Sequence, residues 1–89
     1  MAEFTKEEQR GIDKFWGLHT ERSYSEHTTT YSVVGCSPEG AWVLRRGIDT
    51  LERAILAADT EQKKANNTGL REWYWVIGRG YFLYTTGGE

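Results

Sequence analysis

Nucleophilic catalysis needs a serine or cysteine, a base to take its proton and a third group to orient the base. This chain offers Cys36 and Ser37 as nucleophiles, His19 and His27 as bases and Glu26 as an orienting carboxylate. Their placement argues against that chemistry. Cys36 falls on a strand face expected to be buried beside Trp42, where a free thiol behaves as a small hydrophobe. Two histidines and one cysteine without close ligand spacing do not make a zinc site. The carboxylates fall mostly on helix faces and caps, and no pair stands out as acid and base. No catalytic, metal-binding or cofactor-binding residue is assigned, and the chain reads as a non-enzyme.

Phosphate chemistry is no better served. Gly78-Arg79-Gly80 has neither the Lys-Ser/Thr of a P-loop nor a helix after it, so it reads as a hairpin turn. Arg79-Gly80-Tyr81-Phe82-Leu83-Tyr84 overlaps an RNA-recognition submotif, but Phe82 replaces the small residue expected there and the strand order is wrong for that fold. Aromatic stacking helped by Arg45, Arg46, Arg71 and Arg79 could still hold a single strand of nucleic acid or a nucleotide. Gly87-Gly88-Glu89 resembles a modifier tail only in its two glycines, and Glu89 follows them.

What the chain has in surplus is aromatic surface. Trp73-Tyr74-Trp75-Val76-Ile77 and Tyr81-Phe82-Leu83-Tyr84 are apolar at successive positions, although successive strand residues point to opposite faces. A sheet wetted on one side should alternate apolar and polar. Either both faces are covered from within, or one meets a partner.

Length and composition suit one folded domain over 1–89, with frayed tails at 1–4 and 86–89: 27% charged residues, 13% aromatics and a net charge of −2. That charge lacks a general footprint for duplex nucleic acid. One cysteine forbids an intrachain disulfide and suits a reducing compartment. The N-terminal residues do not form a signal peptide and no apolar run is long enough to span a membrane, so the expected location is cytoplasmic, with no membrane partner.

These residues must be positioned by helices and hairpins. Thr5-Lys6-Glu7-Glu8 forms a capping box for a helix over 6–16 that shows Ile12, Phe15 and Trp16 on one face and stops at Gly17. Residues 18–26 read as a loop. A strand through Tyr31–Cys36 turns at Ser37-Pro38-Glu39-Gly40 through a three-residue loop, which pairs Cys36 with Trp42 and Val34 with Leu44 on one buried face. Asp49 caps the strongest helix, Glu52 completes its box, and Leu51, Ala54, Ile55, Ala58 and Ala65 line its apolar stripe, interrupted by Gln62. Asp59 and Lys63 form a favourable i,i+4 pair on it, and Asn66-Asn67-Thr68-Gly69 ends it. The closing hairpin spans 71–77 and 80–86. A type II′ turn at Gly78-Arg79 sets Trp75 against Phe82 and Trp73 against Tyr84; a three-residue loop including Gly80 is the alternative.

The expected architecture is α+β: an N-terminal helix, then hairpin–helix–hairpin, giving a four-stranded, largely antiparallel sheet packed on a helix. The element order, hairpin–helix–hairpin, is also that of the β-grasp. Trp42, Leu44, Val34, Leu51, Ile55, Trp75 and Phe82 are expected to share one core. Tyr74 and Tyr81, with Tyr24 or Tyr31, are expected to stay accessible, and Arg45 and Arg79 to join them as partner-binding residues. Trp, Tyr and Arg dominate interface energetics. The expectation is therefore a non-enzymatic protein-binding module, such as a stoichiometric inhibitor, adaptor or regulator, of the kind a phage or mobile element could direct at a host enzyme. The alternatives are a binder of single-stranded nucleic acid or a nucleotide, and a structural homodimer.

Overall fold

The computed structural model describes residues 16–38 and 40–87. Their elements are α1 (Trp16–Ser25), β1 (Tyr31–Ser37), β2 (Gly40–Ile48), α2 (Leu51–Thr68), β3 (Trp73–Gly78) and β4 (Tyr81–Thr85). The four strands form one sheet in the order β2-β1-β3-β4, every neighbouring pair antiparallel. The α+β expectation holds, and the β-grasp arrangement is not confirmed.

The strongest helix forms where its stripe requires it, with Ala54, Ala58 and Ala65 buried. Its cap is one residue later than expected. The hydroxyl of Thr50 accepts from the Arg53 backbone N–H at 3.2 Å, while Asp49 reaches the Arg53 guanidinium at 3.4 Å. Gly69, in the left-handed conformation, ends the helix. Gln62 interrupts the apolar stripe with bonds of its own: its amide donates to the Glu72 carbonyl at 2.9 Å, and its oxygen accepts from Thr86. The Thr86 N–H donates to the Tyr74 carbonyl at 2.9 Å, so this residue is tied into the fold rather than frayed. Asp59 accepts from the Tyr84 hydroxyl at 2.6 Å, in place of the expected pair with Lys63.

The first helix is the main correction. Residues 18–25, expected as loop, are helical, and Gly17 lies inside that helix instead of ending one. The helix expected over 6–16 lies outside the described residues apart from Trp16. Among the side chains described on α1, Leu18, Glu21 and Ser25 face inward, all buried. Only one of the three is apolar, so the periodic signal that marks a helix was missing.

Both hairpins take registers other than those expected. In the first, Ser37 pairs with Gly40 and Cys36 with Ala41, so the loop is shorter by one residue. Val34 pairs with Val43 and Val33 with Arg45, which leaves Leu44 as the extra residue of a bulge. Trp42 therefore lies opposite Gly35, on the face away from Cys36. In the second hairpin Gly78 pairs with Tyr81, and the turn is made by Arg79 and Gly80 at φ 54° and 83°. Two positive values define a type I′ turn, whose twist suits a hairpin better than the splay of types I and II. Leu83 is skipped by a second bulge, and Val76 then faces Tyr84.

The sheet is covered on both sides, and there are two cores. Under α1 lie Leu18, Val34, Cys36, Trp75, Ile77 and Phe82. Under α2 lie Val33, Ile48, the three alanines, Tyr74 and Val76, flanked by Trp42, Leu51, Ile55 and Tyr84. The expected single core was thus a mixture of both, and Leu44 belongs to neither, being exposed. Trp42 lies over Gly35, where a Cβ would intrude on the indole, and meets Tyr74 edge-on at 6.5 Å.

Candidate functional site

The residues nominated for nucleophilic chemistry are scattered. Cys36 is buried in the apolar cluster under α1, whereas His19 and His27 are exposed. Among the described residues no group of three or more His, Cys, Asp or Glu side chains could hold a metal ion.

The polar centre of the molecule is one the sequence reading missed. Glu21 is fully buried on the inner face of α1, and it accepts from the Ser32 hydroxyl on β1 and from Arg46 on β2, with an Arg46 Nη2 to Glu21 Oε1 distance of 2.8 Å. The bond to Glu21, and then its charge, raise the Arg46 pKa above its ordinary value. Arg46 in turn lies under the Tyr24 ring, 4.5 Å from its centroid. One turn further along α1, the Ser25 hydroxyl accepts from the Gly80 N–H at 2.9 Å and donates to the Arg22 carbonyl at 2.8 Å. Arg22 Nε donates to the Gly80 carbonyl at 2.7 Å. These bonds tie α1 to both hairpins. Every member is committed to another, so the cluster fastens the helix and offers no free nucleophile or base.

The six residues nominated for partner binding do not form one surface. Tyr74 is only 4% exposed beneath α2, contrary to expectation, because α2 covers its side of the sheet. Its hydroxyl donates to Glu72 at 2.9 Å; burial first, and then that bond, push its pKa up to about 12. Tyr24 is exposed on α1 but occupied with Arg46. Tyr31 is half-buried, Tyr81 is 51% exposed, and Arg79 stands in the exposed turn next to Tyr81. Arg45 is exposed on the opposite edge strand.

Because α2 packs chiefly on β3 and β1, surface remains open on each of its flanks. On the β4 flank, Tyr31 and Leu83 converge over Gly78, where a side chain would collide with the Tyr31 ring. Tyr81 pairs directly opposite Gly78, and Leu83 is exposed. Tyr31 of the inner strand β1 and Tyr81 and Leu83 of the edge strand β4 thus gather around Gly78. On the β2 flank, an open trough of about 930 Å³ runs between the edge strand and the outer side of α2. Leu44, Ile48, Leu56 and Ala57 supply its apolar lining, Arg45, Arg46, Arg53 and Lys64 its cations, and Asp49 and Glu61 its carboxylates. The bulge explains Leu44: the extra residue turns it away from the packed faces.

Compared with protein-family models, with curated proteins and with solved structures, the chain matches none. Among the described residues no helix is long and apolar enough to cross a membrane.

Proposed function

We propose that this chain is a non-enzymatic protein-binding module that acts stoichiometrically, as an inhibitor, adaptor or regulator, by covering part of a partner's surface. One observation carries the reading: Tyr81 and Leu83 stand exposed on the edge strand β4, beside Tyr31. An edge strand presents unpaired backbone donors and acceptors, and a partner strand can satisfy them while side-chain pockets take the tyrosine and leucine. Tyrosine suits such a site because it contributes large rigid area together with a hydroxyl.

The test is affinity capture with the full chain and with a Tyr81→Ser/Leu83→Ser variant, each followed by native mass spectrometry. The expected result is a protein partner in fixed stoichiometry with the first and at least about a tenfold loss with the second. The unpaired edge of β4 also favours a second reading, a homodimer formed through that strand. The same spectra separate them, since a dimer appears in the purified protein without any captured partner. Co-purified nucleic acid in place of protein would reject both.

A further inference from the structure

The trough on the β2 flank of α2 is separate from the β4 cluster, and its chemistry is different. Its length follows from the helix: Arg53 and Lys64 both line it, and the span between them on α2 is about 16 Å, roughly three turns. Leu56, 66% exposed, and Leu44 supply unpartnered apolar surface along it. Arg45, Arg53 and Lys64 stand around these leucines.

The charges do not cancel. Arg46 is matched by Glu21 behind the sheet, Lys64 by Glu61 at 3.1 Å and Arg53 by Asp49 at 3.4 Å. Arg45 is exposed and has no ion pair among the described residues. The Arg53–Asp49 pair is long and exposed on both sides, so it holds Arg53 only weakly. A chain whose net charge is −2 therefore carries, on one trough, an excess cation in Arg45, while the carboxylates that line it, Asp49 and Glu61, each stand beside a lining cation.

We infer that this trough receives an acidic amphipathic helix, about three turns long, from a protein partner. The inference rests on reading the chain as a protein-binding module and names what its second surface takes. Apolar residues of the incoming helix meet Leu44, Leu56 and Ala57, and its carboxylates meet Arg45 and Arg53. Nucleic acid fits less well. A phosphate backbone needs several free cations and its bases need stacking rings, and among the described residues no aromatic lines this trough.

The test uses the full chain and fluorescence anisotropy of a labelled synthetic peptide of about three turns, with leucines at helical i, i+3, i+4, i+7 spacing and glutamates elsewhere. A matched peptide carries lysine for each glutamate, and a thymidine oligonucleotide serves as a third probe. Saturable binding of the glutamate peptide is expected, weakened at least about tenfold by Arg45→Glu/Arg53→Glu and separately by Leu56→Ser. The lysine peptide should bind at least about tenfold more weakly than the glutamate peptide. No saturable binding, equal binding of the lysine peptide, tighter binding of the oligonucleotide, or full affinity in either variant overturns the inference. Failure here does not touch the broader reading. A captured partner lost only with Tyr81→Ser/Leu83→Ser would leave the module standing and remove the trough alone.

Discussion

Glu21 and Ser32 meet through a hydrogen bond from hydroxyl to carboxylate, in the interior between α1 and the sheet, and Glu21 is 0% exposed. A carboxylate taken wholly out of water is tolerated only when its lone pairs are occupied, and Arg46 completes that shell with Nε at 2.9 Å. Polar geometry thus joins the buried Leu18 in holding the first helix to the sheet.

Removing the cation should expose that dependence. Arg46→Ala leaves Glu21 buried without its counter-charge and should destabilise the fold. The loss stays below that of a fully enclosed ion pair because the Arg46 side chain keeps 48% of its surface in water. Arg46→Ala combined with Glu21→Gln should recover part of the loss. Urea denaturation of the three proteins measures both values, and an unchanged midpoint for Arg46→Ala would contradict the assignment.

The turn between β3 and β4 predicts substitutions of opposite sign. Arg79 holds a left-handed φ of 54°, a conformation that costs most side chains about 1–2 kcal/mol. Arg79→Asn should stabilise by part of that amount, since asparagine before glycine is favoured in this turn type. Gly80→Ala should destabilise by about 1–2 kcal/mol or more, because φ is 83° and a Cβ would stand 2.6 Å from Glu26 Cγ. Thermal denaturation reads the two shifts.

Trp42 lies so close over Gly35 that no side chain fits between them. Gly35→Ala must lift the indole off the sheet and away from Tyr74, at about 1–3 kcal/mol for an overpacked site. In a Trp42→Ala background the same substitution should cost much less, and the double-mutant cycle gives the coupling. Additive losses would mean that some other neighbour of Gly35 sets the limit.

Alkaline stability should follow Tyr74. Its pKa rises from 10.0 to about 12 in the folded protein. The folded state therefore keeps a proton that the unfolded chain releases. Stability from this group is complete below pH 10 and is lost as pH climbs through about 12. The Tyr84 pKa is raised too, first by the hydrogen bond to Asp59, and acts in the same direction. Tyr74→Phe should flatten the decline of the denaturation midpoint with pH, whereas an unaltered slope would place the titrating group elsewhere.

The sequence carried the strands, the hairpins and α2, because Leu51, Ala54, Ile55, Ala58 and Ala65 repeat at helical spacing and β-branched or aromatic runs alternate with turn residues. It did not carry α1, whose described buried side chains, Leu18, Glu21 and Ser25, give a periodicity search almost nothing to find. The registers were hidden for another reason. Glycine flanks Arg79 on both sides, so two turn types were available, and the bulges at Leu44 and Leu83 have no composition signal. The bulge at Leu83, and not the turn, moved Tyr84 to the α2 side. As for the candidate surface, a strand pair apolar on both faces does not say which face the longer helix covers. That is why Tyr74 was taken for a contact residue while Tyr81, Leu83 and Tyr31 form the cluster that remains.

The alanines of α2 also bear on how this protein can change over generations. The helix offers Ala54, Ala58 and Ala65 to the interior, while Trp42, Tyr74 and Tyr84 rise from the strands to meet it. The large fully buried side chains of that layer thus come from the sheet, with Leu51 and Ile55 of the helix at its margin. Enlarging an alanine would lever the whole helix outward, whereas trimming a ring could be absorbed by a neighbour. A saturation library should therefore show the smallest inward residues of α2 as the least replaceable, and outward Leu56 as among the freest when folding alone is selected. Lineages would drift along the outside of the helix and stay fixed beneath it.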